Sequence, residues 1–213
     1  MTSGSRSPRV LPLVSLFASL SAPAALAAPP SKPVGIDLVT ANGTGCAKGT
    51  VAIAVSADNT AFTISYSGYL AQVGVGAKPN DARKQCQLNL HIRVPDGFTY
   101  AIESVNHRGF ASLASGATGV HRARYHLQDQ SPPTFLEHSF AGPWLDDWQA
   151  TDLAGTAGPA FAPCGTPRNL NVHSELQVTP GSSNPAATTS FLALDTTDGA
   201  FQTTYHLVWK ACP

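Results

Sequence analysis

Hydrophobicity in this chain repeats every second residue, and that period constrains the fold more than any other feature. Leu88, Leu90, Ile92 and Val94 alternate with Asn89, His91 and Arg93. A second run sets Leu170, Val172, Leu176 and Val178 on one side, interrupted by Ser174, and Asn169, Asn171, His173, Glu175 and Gln177 on the other. Near the C-terminus Phe201, Tyr205, Leu207 and Trp209 alternate with Gln202, Thr204, His206 and Lys210. Successive side chains of an extended strand point to opposite faces, so each run reads as a half-buried strand. Shorter segments at 36–39, 51–55, 62–66, 99–105, 120–128, 135–140 and 190–194 read the same way. Turn residues punctuate them, among them Asn42-Gly43, Lys48-Gly49, Asp96-Gly97 and Asp198-Gly199. No helical period appears, and glycine interrupts the alanine-containing stretches 70–77 and 150–157. About ten strands without a long amphipathic helix predict an all-β, antiparallel β-sandwich of jelly-roll type. The Ala-, Gly- and Pro-rich stretch 143–167 is expected to be irregular and to wrap over one sheet.

The N-terminus reads as an export signal. Arg6 and Arg9 precede an apolar segment at 10–20, and Ala25-Leu26-Ala27 fits a small-x-small cleavage site. The apolar run contains Pro12 and is shorter than the roughly 20 residues that span a bilayer. Residues 1–27 are therefore expected to be a signal peptide and 28–213 a single secreted β-sandwich domain. Four cysteines follow the signal: Cys46, Cys86, Cys164 and Cys212. An even count in an exported chain predicts two disulfides that staple the fold. Three pairings are possible, and the shorter loops favour Cys46–Cys86 with Cys164–Cys212. No C-x-x-C spacing points to a zinc ribbon or a redox pair.

Thirteen basic residues balance thirteen acidic ones, and charged residues make up 12% of the chain. No basic stripe suits a nucleic acid, and no polybasic run or membrane span suits a lipid surface. Polar surface must come mainly from Ser, Thr, Asn and Gln. The glycines of "QVGVGAKPNDARKQCQ" raise the possibility of a phosphate loop, but the third glycine of a dinucleotide fingerprint is missing. Lys78 is followed by Pro79, not Ser or Thr, and a strand follows in place of a helix. The stretch reads as a surface crossover that Cys86 anchors, and no cofactor is expected.

This stretch, continued as "LNLHIRVPDGFTYAI", together with "CGTPRNLNVHSELQV" and the closing "TTYHLVWKACP", resembles an uncharacterised family of secreted proteins, domain-of-unknown-function family 4360. The likeness runs from about Gly35 to Pro213. One departure is Ala82, where the family often shows an aromatic residue before the arginine. The resemblance implies a secreted, disulfide-containing β-protein and carries over no activity, ligand or catalytic residue.

Several groups of residues are chemically suggestive. Trp144, Asp146, Asp147 and Trp148 in "PWLDDWQATD" place acids between aromatic rings, as in a sugar platform. Glycoside hydrolysis needs two carboxyls at a set separation, and neighbours on an extended chain point apart, so a second group from Glu175, Glu137 or Glu103 would be required. Arg122 and Arg124 share one face of a strand with His126 beyond them, a row suited to a carboxylate or sulfate group. His91 and His173 lie on polar faces and could meet across a sheet. His121 and His126 have opposite parity and must face opposite ways. No His-x-His or H-E-x-x-H spacing indicates a metal, and none is expected. Asp195 and Asp198 form only part of a calcium loop and read as a hairpin turn.

The residues best fit a non-catalytic extracellular binding or interaction module for a polysaccharide or a protein. Candidate ligand-binding residues are Trp144, Asp146, Asp147, Trp148, Arg122, Arg124, His173 and Glu175. Two alternatives stay open: a small secreted hydrolase using Asp146, Asp147 or Glu175 with His173, and an inhibitor or surface-coat protein.

Overall fold

A computed structural model of the chain describes residues 1, 26–155, 158–194 and 201–213. Most of the expected signal peptide, and the Asp195–Asp198 turn, lie outside the described residues. The strands are β1 (Gly35–Asn42), β2 (Val51–Val55), β3 (Ala61–Tyr66), β4 (Leu70–Gly74), β5 (Arg83–Arg93) and β6 (Phe98–Leu113). They continue with β7 (Thr118–Leu127), β8 (Leu136–Ala141), β9 (Trp144–Leu153), β10 (Leu170–Thr179), β11 (Thr189–Ala193) and β12 (Thr203–Ala211). Among the described residues, the 3-10 turn Pro79–Asp81 is the one helical element. It follows the glycine stretch and leads directly into β5, as a surface crossover should.

Two antiparallel sheets pack face to face. One has five strands in the order β1-β5-β10-β7-β8. The other has seven, in the order β2-β3-β12-β6-β11-β4, with β9 on the remaining edge of β6. The alternating residues fill the space between them as their period dictates. Leu88, Leu90 and Ile92 of β5 and Leu170, Val172, Leu176 and Val178 of β10 line the inner face of the smaller sheet. Phe62, Ile64, Tyr205, Leu207 and Trp209 meet them from the larger sheet, with the Phe62 and Tyr205 rings stacked at 4.7 Å. Burying a large apolar side chain contributes about 1.5–3 kcal/mol, so this inner layer is the main source of stability.

The stretch 143–167 departs from expectation in its first half. Trp144–Leu153 is not irregular but forms β9, paired residue for residue with β6 from Leu153↔Ser104 to Trp144↔Leu113. Its inward positions are Trp148, Ala150 and Asp152, a ring, a methyl and a carboxylate, which break the apolar alternation that marks a strand. Strand β6 also runs well past 105, through His107 and Gly109. Gly109 is needed there: a Cβ would come within 2.6 Å of the Trp148 ring and 2.1 Å of the Ala193 carbonyl.

Both disulfides join the nearer partners, Cys46–Cys86 and Cys164–Cys212. The first ties the loop after β1 to β5. The second ties the segment following β9 to the end of β12.

Candidate functional site

The outward residues of the five-stranded sheet form a polar face. The strand register fixes who neighbours whom. His173 of β10 lies opposite Gln87 of β5 and Arg124 of β7. Asn171 lies opposite Asn89 and His126, and Glu175 opposite Gln85 and Arg122. Arg122 in turn lies opposite Glu137 of β8. Four of the eight predicted ligand-binding residues (Arg122, Arg124, His173 and Glu175) are thus brought together on adjacent strands.

Hydrogen bonds organise this face into two zones. In the first, amides form a ladder: Asn169 Nδ2 donates to Asn89 Oδ1 at 2.7 Å, and Asn89 Nδ2 donates to Asn171 Oδ1 at 2.8 Å. His91 closes the end of the ladder through its Nδ1 on Asn169 Oδ1 at 3.1 Å. His91 and His173 therefore share a face without meeting, because Gln87 is the residue opposite His173. In the second zone, Glu175 accepts from Arg83 and from Arg122 Nη1, the latter at 3.0 Å. Arg122 also donates to Glu137 Oε2 at 2.6 Å and Gln177 Oε1 at 2.9 Å. This network pairs both glutamates with arginine. Beside it, Arg124 lies over the Phe135 ring at 4.3 Å. Burial, and then the charge of Arg124, hold the His126 and His173 imidazoles below their ordinary pKa. At one end the face runs into a cleft of about 560 Å³ beside the Cys164–Cys212 disulfide, with His91 and Arg168 in its walls.

The other four predicted residues lie elsewhere, on β9 of the larger sheet. Trp148 is 3% exposed and packs against Phe140 and His121, so it is a core residue and not half of a sugar platform. Trp144 meets Phe140 edge-on, and its Nε1 donates to the Asp146 carbonyl. Asp146 and Asp147 are both exposed and stand on opposite sides of the strand, and Glu175 belongs to the other sheet. The register does not gather these acids into one cleft.

A buried polar cluster between the sheets escaped sequence reasoning. Asp152 of β9, 4% exposed, accepts from His107 Nε2 of β6 at 3.0 Å and from His138 Nε2 of β8 at 2.7 Å. The second bond crosses from one sheet to the other. His107 Nδ1 faces Thr203 Oγ1 at 3.3 Å, and the His121 ring of β7 sits 4.4 Å from the His107 ring. Burial raises the Asp152 pKa, but hydrogen bonds and charge from His107 and His138 outweigh it and hold the carboxyl below its usual value. Burial, followed by the charges of His107 and His138, pushes His121 well below the ordinary histidine value. Thr203, His107 and Asp152 form a hydroxyl–imidazole–carboxylate line, but all three are buried and no substrate reaches the hydroxyl. Among the described residues, no three His, Cys, Asp or Glu side chains are grouped to hold a metal ion. The arrangement as it stands works as a polar lock between sheets. Parity along 120–128 could have flagged His121 as inward, whereas Asp152 lies on a strand that the sequence pattern does not mark.

The family model for a domain of unknown function, DUF4360, matches residues 32–212. The chain belongs to DUF4360. An uncharacterized secreted protein from Arthroderma benhamiae is 33% identical over 185 residues, covering 87% of this chain and 74% of the relative. The enzymatically active domain of bacteriophage CBA120 tailspike protein 4 shows 10% identity and a TM-score of 0.21, over 81% of this chain and 19% of that one. That likeness is too slight to bear on fold or function, and the chain spans less than a fifth of that protein. The DUF4360 match takes in all four cysteines, both sheets and every residue of the polar face. A secreted relative and two disulfides agree with an exported DUF4360 protein, and among the described residues no helix is long and apolar enough to cross a membrane.

Proposed function

We propose that this chain is an extracellular binding module that holds a polysaccharide on the outer face of its five-stranded sheet. The supporting observation is the ladder of Asn169, Asn89 and Asn171, continued by Gln87, His173 and Arg124 across three adjacent strands. Neighbouring strands lie about 4.8 Å apart, so side chains project as a regularly spaced lattice of donors and acceptors. Sugar hydroxyls, which both donate and accept, match amides that do the same. Because the amides hydrogen-bond one another, little side-chain entropy remains to be lost on binding. The secreted relative supports the extracellular setting. The hydrolase alternative has less support, since Glu175 is held between two arginines and Asp146 and Asp147 lie on the other sheet.

The test is a glycan array probed with the purified chain, followed by titration of any glycan retained. Asn89→Ala and Asn171→Ala should each weaken binding by about 3- to 10-fold, the value of one or two hydrogen bonds. Leu145→Ser on β9 should leave it unchanged. Retention of no glycan, or equal binding by the ladder variants, rejects the reading.

A further inference from the structure

The cations of the polar face differ in what they touch. Arg83 and Arg122 share Glu175, Arg122 also holds Glu137, and Arg93 holds Asp37. Arg124 has no carboxylate partner among the described residues. Its Nη2 stands 3.4 Å from His173 Nδ1, and its Nε is buried without a partner among the described residues. Two neighbouring atoms share that condition: His173 Nε2 and His126 Nδ1 are also buried and unpaired. The amide ladder ends beside them. Each ladder amide passes a hydrogen to the next, so Asn171, opposite His126, is left with its Nδ2 hydrogens unspent on any described residue. An unmatched cation, unpaired ring nitrogens and a free amide donor therefore converge on one patch. A buried donor left unpaired is costly, and an acceptor of the right charge would offset that cost.

We propose that Arg124, flanked by His126, His173 and Asn171, is an anionic subsite that takes the carboxylate of a uronic acid unit, so that the polysaccharide bound is acidic. This rests on the reading of the face as a glycan surface. A guanidinium presents parallel N–H donors that fit the two oxygens of a carboxylate, and the Phe135 ring beneath Arg124 orients that fork. Other anionic groups face this patch: Glu175 from β10 and Glu137 from β8, both already bound to Arg122. Arg83 of β5 and Arg122 of β7 complete its charged surroundings, with Gln87 as the neutral neighbour from β5. An anion on Arg124 offsets the charge that disfavours protonated His126 and His173. Both imidazoles should then take up protons with the ligand, and affinity should rise as pH falls.

Isothermal titration of the purified chain at pH 5.5 and 7.5 tests this with three hexasaccharides of matched length: galacturonate, neutral galactose and a sulfated galactose. The galacturonate hexamer should bind at least about tenfold more tightly than the neutral one, as expected for a charge-assisted bond. It should bind more tightly at pH 5.5, and His126→Asn with His173→Asn should flatten that pH dependence. Arg124→Gln should abolish the preference, bringing the galacturonate hexamer to the affinity of the neutral one. Arg124→Lys, which keeps the charge without the fork, should recover part of it. Should Arg124→Gln not fold, Asn171→Ala, which removes the free amide donor, carries the same test: it should weaken the acidic hexamer more than the neutral one. A preference that survives Arg124→Gln overturns the subsite. So does equal binding of all three hexamers, which leaves the glycan face standing. Stronger binding of the sulfated hexamer overturns the carboxylate assignment, and failure of every hexamer and every arrayed glycan removes the glycan face itself.

Discussion

His121 puts an imidazole where the packing would accept a hydrocarbon. Its ring is fully buried against His107, His138 and Trp148, and neither nitrogen has a hydrogen-bond partner among the described residues. Two unmet ring nitrogens are a standing cost, and protonation would add an unpaired buried charge. Because the folded-state pKa lies well below the ordinary value of about 6.5, the unfolded chain binds the proton more readily. Stability from this residue is therefore intact above about pH 6.5 and falls as the pH drops below it, by up to about 1.4 kcal/mol per pH unit. His121→Phe, which keeps a flat ring and removes both nitrogens, should unfold at equal or higher urea concentration than the parent at pH 7. The gap should widen between pH 6.5 and pH 5. A variant that lost more than about 2 kcal/mol at pH 7 would show that the imidazole has a partner this packing does not reveal.

At the scale of elements, β9 depends on β6 and on one ring. It occupies the edge of the larger sheet, with β6 as its paired strand, and Trp148 is its deepest anchor. Gly109 on β6 clears the space into which that ring fits. Trp148→Ala should cost about 3–5 kcal/mol in equilibrium denaturation, as for other buried tryptophans. Leu145, on the same strand but 75% exposed, should tolerate serine within about 0.5 kcal/mol. Similar losses for both variants would mean that the outer side of β9 is covered. Asp152 contributes from the same strand by pinning β8 through His138.

At the scale of the whole molecule, the two disulfides close loops with sequence separations of 40 and 48. Neither spans both halves of the chain, so each constrains its own half of the unfolded ensemble. Replacing Cys46 and Cys86 together by alanine should lower stability by about 2–5 kcal/mol, measured by urea denaturation against the parent. An unchanged midpoint would contradict the pairing. The sandwich itself should persist in the variant, because Cys46 and Cys86 are only two members of a buried apolar layer that the other inward residues of both sheets fill.

The alternation of residues 88–94, 170–178 and 201–210 was enough to predict a two-sheet antiparallel sandwich, because period two leaves a half-buried strand as the simplest way to bury one face. The cysteine count and spacing likewise indicated two bridges. Strand β9 was hidden because its inward side carries Trp, Ala and Asp, which local hydrophobicity cannot distinguish from a loop. The His107–Asp152–His138 cluster was hidden for a related reason: its members come from strands that meet only when the sheets stack, so their spacing along the chain carries no trace of the contact. The polar face lies between these cases. Parity placed Arg122, Arg124, His173 and Glu175 outward, but cross-strand register alone decided that Glu175 would occupy Arg122 and leave Arg124 without a carboxylate among the described residues.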